Sequence, residues 1–360
     1  AFLLAAPAQN QQSNQYEVPS FWICRKIRHG FAVQTMAGQV KLPYPKIQDS
    51  AMIWLDTPAG LTAFLHKHAD ARLVALDTEF IRERTYYPQL ALVQIAVDDD
   101  IALVDAAKPE LARLLKPLLE NPAILKVMHS CSEDLQAFKV GCDAVPTPVF
   151  DTQNAAALCG YGASLSYLKL VEQLCSETLE KGETRSDWLQ RPLTESQQHY
   201  AADDVRFLHA MHAQLQARLH DLGRLAWLEA DCARAVAGAI DEQPDANPHL
   251  GVRSNQPLDR EAQLRLRRIL RWRDVRAIEK NKPKRWIIDN DAAFALARQR
   301  FENIDELDAV LARYPKAPKA ARSHLFALLE KPFDAEELAA PLSSEPDAVQ
   351  KTRLKALQQA

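Results

Sequence analysis

Residues 73–80, LVALDTEF, decide how the rest of the chain is read. Four apolar residues followed by an acid, bounded by Arg72 and Arg82, have the length and flanks of a buried strand. Asp77 and Glu79 lie two apart, so a strand projects both carboxylates to one face. Paired acids on an apolar strand repel one another and lose hydration, an arrangement that becomes favourable when divalent cations neutralise it. Taken alone, an Asp-x-Glu pair is common, and a strand end meeting water explains it equally well.

Outward from that strand, residues 90–97 (LALVQIAV) and 101–104 are apolar runs split by Asp98, Asp99 and Asp100, a turn signal that predicts antiparallel strands in sequence. Helical spacing of leucines predicts one helix over 109–120. A short strand follows at 124–128, a helix at about 132–140, a last short strand at 148–151, and mostly helical patterns to His220. Hairpin-linked strands followed by alternating helices and strands predict an α/β domain with a mixed sheet and flanking helices over 52–220. Residues 221–258 read as a helix and a Pro-, Asn- and Gln-rich linker, and 259–332 as an all-α unit. Residues 333–360 read as a hinge and the possible start of a further helical module. Residues 1–51 read as an extension: AFLLAAPAQ resembles the end of a signal peptide but has no basic segment and too short an apolar stretch.

Composition narrows the function. Ten glycines among 360 residues, with no GxGxxG or GxxxxGK[ST] string, argue against glycine-rich phosphate loops. Six cysteines without a CxxC pair exclude zinc-ribbon spacing and fit a reduced, cytoplasmic compartment. No run approaches the roughly 18 apolar residues of a membrane helix. The net charge of −3 hides an asymmetry. Residues 71–220 hold 14 Lys and Arg against 21 Asp and Glu, whereas residues 260–285 hold 11 against 3. An acidic block beside a basic one suggests cations held in one place and phosphates in the other.

Two further stretches supply acids. Asp134 falls in the first turn of a helix after a strand, where Ser130-x-x-Glu133 also has the form of a capping box. Tyr200 and Asp204, four apart, share one helix face. Hard cations take oxygen ligands, two of them can clamp the attacking and leaving oxygens of a phosphodiester displacement, and a nearby phenol can orient the water.

Together, DTEF (77–80), ERTYYPQLALVQIA (83–96), HSCSEDL (129–135), FDTQ (150–153), RSDWLQRPLT (185–194) and YAADDV (200–205) resemble the ribonuclease D family, in the tyrosine subgroup of the DEDD exonucleases. The resemblance covers residues 52–220 and implies a ribonuclease H-like domain that hydrolyses RNA from a free 3′ end. Asp77, Glu79, Asp134 and Asp204 would be the metal ligands for two Mg²⁺ or Mn²⁺ ions, with Tyr200 as a further catalytic residue and nucleoside 5′-monophosphates as products. It further implies tRNA precursors and small structured RNAs as partners; no membrane and no protein partner are inferred, and a monomer is expected. The sister subgroup places a histidine five residues before the final Asp, where His199 stands. Tyr200 is preferred because its flanking string and i,i+4 spacing fit. Thr78, Phe80, Tyr86 and His129 are candidate substrate contacts. Residues 266–299 resemble the HRDC module, a helical domain, with Lys284 and Arg285 as candidate RNA contacts in a basic cluster beside Trp286. A DNA 3′→5′ exonuclease and a non-catalytic RNA-binding protein are the alternatives.

Overall fold

The apolar runs of residues 52–151 form six strands with helices between them. The structure, a computed structural model, describes residues 52–359 apart from 181, 184–185, 242, 254–255, 315–316 and 345–347. The expected extension at 1–51 and Arg185 of the RSDW string lie outside the described residues.

β1 (Met52–Leu55) leads into α1 (Pro58–Lys67), where Pro58 occupies the first turn and the Thr57 side chain accepts from the Gly60 amide. β2 (Leu73–Ile81), β3 (Gln89–Val97) and β4 (Asp100–Val104) form the expected antiparallel meander. Val97 pairs with Asp100, so Asp98 and Asp99 make a two-residue turn, and Asp98 takes the left-handed backbone (φ 51°) that Asp tolerates. Residues 109–120 depart from the single helix expected. They form α2 (Pro109–Leu114) and α3 (Lys116–Leu119), because Pro117 has no N–H to continue the ladder. β5 (Leu125–Met128), α4 (Ser132–Cys142), β6 (Val149–Asp151), α5 (Thr152–Leu158) and α6 (Tyr167–Cys175) follow. α7 (Glu195–Arg206), α8 (Leu208–Asp221) and α9 (Leu225–Ile240) complete the domain.

The strand order is β1-β4-β3-β2-β5-β6. Pairs β1–β4, β2–β5 and β5–β6 are parallel and flank the antiparallel centre, so the sheet is mixed and β2 lies inside it. α4 crosses one face so closely that a Cβ on Gly141 would come within 2.5 Å of the Leu90 side chain. The other face is covered by the segment leading into α7, whose Trp188, Leu193 and Ala201 pack on Leu92 and Leu103. That segment is held by Arg191, which donates to Asp105 (2.8 Å) and to the Ala91 carbonyl (2.8 Å).

The helical unit has its own core, in which Leu266, Ile269, Leu270, Ile288, Leu296 and Leu325 are buried. It comprises α10 (Arg260–Lys280), α11 (Lys284–Ile287), α12 (Asn290–Ala297), α13 (Ile304–Leu311), α14 (Arg322–Glu330) and α15 (Ala335–Leu338), and is followed by the exposed helix α16 (Ala348–Gln359). Its basic block is not one solvated face. Arg265, Arg267, Arg268 and Arg273 are buried. Arg268 pairs with Glu337 and donates to the Leu328 and Pro332 carbonyls, Arg267 reaches the Ala246 carbonyl and Glu336, and Arg265 donates to the Ala297 carbonyl. Much of the positive excess therefore ties helices and turns together, because a buried guanidinium has to find acceptors for its five N–H groups.

Candidate active site

Each acidic side chain reaches the site from an element whose position has a local cause. Asp77 and Glu79 stand on β2 beside a bulge, where Glu79 pairs with Leu92 but Phe80 pairs with Leu90. α7 starts at a capping box, Thr194 and Gln197 each satisfying the other's backbone amide, and this fixes the turn that presents Tyr200 and Asp204. Asp134 lies in the first turn of α4. The capping box expected from Ser130 and Glu133 does not form. Instead Asp151 accepts the amides of Ser130 and Cys131 (both 3.0 Å) as well as Gln153 (2.8 Å), so one buried carboxylate joins the starts of α4 and α5.

One carboxylate oxygen from each of Asp77, Glu79 and Asp204 lies within 4.8 Å of the others. The Thr78 hydroxyl donates to Asp134 Oδ1, bringing the fourth acid alongside. Burial, then the charges of Asp134, Asp204 and Glu79, push Asp77 well above the usual carboxylate range. Burial, then Asp204 and Asp134, raise Glu79 to about 9. Asp204 rises to about 8 through burial, Asp203 and Asp134, against a lowering hydrogen bond from the Tyr200 side chain. Asp134 rises to about 6, mainly through burial, with the Thr78 hydrogen bond restraining it. Among the described residues no Lys, Arg or His forms an ion pair with Asp77, Glu79 or Asp204. Converging carboxylate oxygens of like charge fit hard divalent cations, which prefer such ligands.

The other candidates are placed as follows. His199 is exposed, and its Nδ1 bonds to the Glu195 carbonyl (2.8 Å), away from the acids. Asp203 pairs with Arg206 (2.7 Å). The Thr78 side chain is spent on Asp134, and Phe80 packs partly buried against the domain core. His129 lies inside, with Nδ1 2.9 Å from Thr152 Oγ1 and its ring edge-on to Tyr167, and burial lowers its pKa. Tyr86 is not an open stacking platform. It is 8% exposed, packed with Ala277 and Ile287 of the helical unit, and its ring faces the Lys284 ammonium at 5.9 Å. Lys284 itself is paired with buried Asp274 (2.7 Å). Arg285 and Trp286 remain exposed.

Three residues outside the candidate set also shape the site. The Tyr167 hydroxyl donates to the Asp203 carbonyl (2.7 Å), bracing the turn of α7 that carries Asp204. Arg82 joins Gln136, two residues beyond Asp134, to the Tyr86 carbonyl. Asn281 caps α10 in the left-handed conformation (φ 44°), and its side-chain oxygen accepts the amides of Tyr86 (3.0 Å) and Tyr87 (3.1 Å). Asn is a common helix terminator, a sequence signal for the cap but not for its distant partner.

Comparison with known proteins agrees with this geometry. A 3′–5′ exonuclease family model matches residues 52–220. Ribonuclease D of Xanthomonas oryzae pv. oryzae is 46% identical over 305 residues, covering 85% of this chain and 84% of that protein. Ribonuclease D of Pseudomonas paraeruginosa is 37% identical over 308 residues, covering 85% and 78%. Among solved structures, ribonuclease D of Escherichia coli, an exoribonuclease involved in structured RNA processing, superposes with a TM-score of 0.65 at 29% identity, covering 86% of this chain and 83% of that one.

Proposed function

Because the chain belongs to the ribonuclease D family and is a 3′→5′ exoribonuclease, we propose that it trims tRNA precursors and other small structured RNAs in the cytoplasm, with two Mg²⁺ or Mn²⁺ ions held by Asp77, Glu79, Asp134 and Asp204. The observation that carries the metal reading is the convergence of Asp77, Glu79 and Asp204 oxygens within 4.8 Å, with no ion pair to them among the described residues. Divalent ions in such a site supply an ionisable water at neutral pH and neutralise charge on the phosphate. Tyr200, tied to Asp204 by a hydrogen bond, positions the attacking water. Water adds to the terminal phosphorus as the P–O3′ bond breaks. The water proton passes to solvent, the departing 3′ oxygen takes up a proton, and a nucleoside 5′-monophosphate leaves.

The helical unit, which resembles the HRDC module, would hold the RNA upstream of its end. Lys282, Arg285 and Trp286 are exposed on the turn and short helix after Asn281, and the Lys282 ammonium lies 5.9 Å from the Trp286 ring centroid. Matched RNA and DNA oligonucleotides with free 3′ ends, incubated with Mg²⁺ or with EDTA, test the reading. Wild type should release mononucleotides from RNA only with Mg²⁺, and Asp77→Ala should release none. An EDTA-resistant or Asp77-independent ladder would overturn the metal assignment, and degradation of an unstructured RNA in strong preference to a tRNA precursor would overturn the substrate assignment.

A further inference from the structure

Gln94 is the one strongly polar side chain of β3 inside its apolar run, and it is completely buried. Among the described residues, neither its amide nitrogen nor its amide oxygen has a hydrogen-bond partner. A buried amide left unpaired is costly, and a leucine or methionine would fill the same space without that penalty. The register of the sheet shows what the position offers instead. Gln94 pairs directly with Asp77 across the β2–β3 ladder and with Leu103 on β4. Directly opposed residues of an antiparallel pair share a face, with Cβ atoms about 4.5–5.5 Å apart. Along its own strand, the neighbours on that face are Leu92 and Ala96, and Ala201 of α7 closes over the layer with Leu92 and Leu103. Asp77 is therefore the polar side chain standing opposite this amide on the sheet.

We propose that Gln94 is a positioning residue for Asp77: a side-chain rotation lets its amide N–H, which has no partner among the described residues, donate to the oxygen of the Asp77 carboxylate turned away from the divalent ions. A carboxylate that ligates a cation has a second oxygen to satisfy, and a donor fixed by packing sets the direction of the first. β3 is rigid here, paired on both sides, so the amide can be held ready without tracking substrate. The requirement is for a neutral donor. A cation would compete with the metal, and a hydroxyl on a short stem would not span the ladder. Gln94 touches no substrate and acts through Asp77 alone.

The inference rests on Asp77 being a metal ligand, so the experiment separates the two. Mn²⁺ alone is titrated by electron paramagnetic resonance into wild type, Asp77→Ala and Gln94→Met, and unfolding temperatures are recorded in EDTA. Wild type should bind Mn²⁺ and Asp77→Ala should bind it far more weakly; equal binding by these two removes the metal reading itself. Given that difference, Gln94→Met should unfold at or above the wild-type temperature yet bind Mn²⁺ about 10–100-fold more weakly. Its kcat should fall in parallel while the KM for an RNA oligonucleotide stays unchanged. Mn²⁺ affinity and kcat both within twofold of wild type would overturn the role given to Gln94. Should Gln94→Met fail to fold, Gln94→Asn, which keeps an amide but withdraws it by one methylene, is titrated instead; it should also bind more weakly, and wild-type affinity there overturns the proposal.

Discussion

Without divalent ions, the raised pKa values of Glu79 and Asp204 keep these groups protonated at pH values where an unfolded chain has already ionised. Carboxylates with raised folded-state pKa values favour the folded protein at low pH, and the metal-free fold loses that advantage as pH climbs from the unfolded value near 4 toward the Glu79 value of about 9. In EDTA, thermal stability should therefore be higher at pH 6 than at pH 8.5, with Mg²⁺ narrowing the difference. Asp77→Asn removes one charge from the cluster. It should raise stability in EDTA at pH 8.5 by at least about 1 kcal/mol, or about 2–4 °C in Tm, while abolishing activity. Scanning calorimetry at the two pH values decides, and a metal-free protein that is more stable at pH 8.5 would contradict the raised pKa values. In the proposed mechanism Tyr200 makes a different kind of contribution, its hydroxyl bonding to Asp204 and orienting the water. Tyr200→Phe should lower kcat by about 10²-fold or more with little change in KM, and His199→Ala should leave both unchanged. Steady-state kinetics on a short RNA oligonucleotide distinguishes the two, and the opposite pattern would move the third motif to its histidine form.

At the scale of elements, the decisive joint is between the β2–β3 loop and the end of α10. Asn281 meets two backbone amides at once, and the left-handed conformation that lets it do so is shared by few residues. Asn281→Gly keeps the backbone geometry and removes the acceptor; with the Tyr86 bond part-buried and the Tyr87 bond exposed, the loss should be about 1 kcal/mol. Asn281→Asp keeps the acceptor and should largely restore stability. Hydrogen exchange at Tyr86 and Tyr87 reads the joint directly; unchanged protection in Asn281→Gly would show that the loop is held by packing alone. This joint also marks how far the sequence could be read. Apolar runs bounded by turn signals, and helical spacing, located β2 to β6 and α4 to within a residue or two, because those patterns are local. The Asp77, Glu79, Tyr200 and Asp204 spacings were local as well. Their convergence was visible only through family resemblance, since no short-range rule says which strand face α7 covers. What stayed hidden depends on partners far along the chain. Asp151 supersedes the Ser130–Glu133 box, Pro117 divides a leucine-patterned helix, and Tyr86 turns inward because Ala277 and Ile287 cover it.

For the whole molecule, charge counted along the sequence and charge presented to solvent are different quantities. The excess over residues 260–285 suggested a phosphate-binding face. Folding consumes Arg265, Arg267, Arg268, Arg273 and Lys284 in hydrogen bonds and ion pairs, leaving Lys280, Lys282 and Arg285 exposed, with Lys282 beside the Trp286 ring. The two groups should respond oppositely to mutation. Arg268→Ala strands Glu337 and three backbone carbonyls, so it should destabilise the helical unit by about 3–5 kcal/mol and disturb RNA binding only as a consequence of unfolding. Among the described residues, the double change Lys282→Glu and Arg285→Glu alters no side-chain pairing beyond the contact of Lys282 with Trp286, and it should leave the unfolding temperature nearly unchanged. RNA affinity should nevertheless drop, and the slope of log Kobs against log salt should become shallower by about 1.4 if each side chain meets one phosphate of a single strand. The effect should be confined to substrates long enough to leave the catalytic cleft, so kcat on a dinucleotide should hold while KM rises on a tRNA precursor. An unaltered salt slope would place the RNA path elsewhere, and an equal loss on the dinucleotide would mean that these charges act at the carboxylates rather than on the body of the RNA.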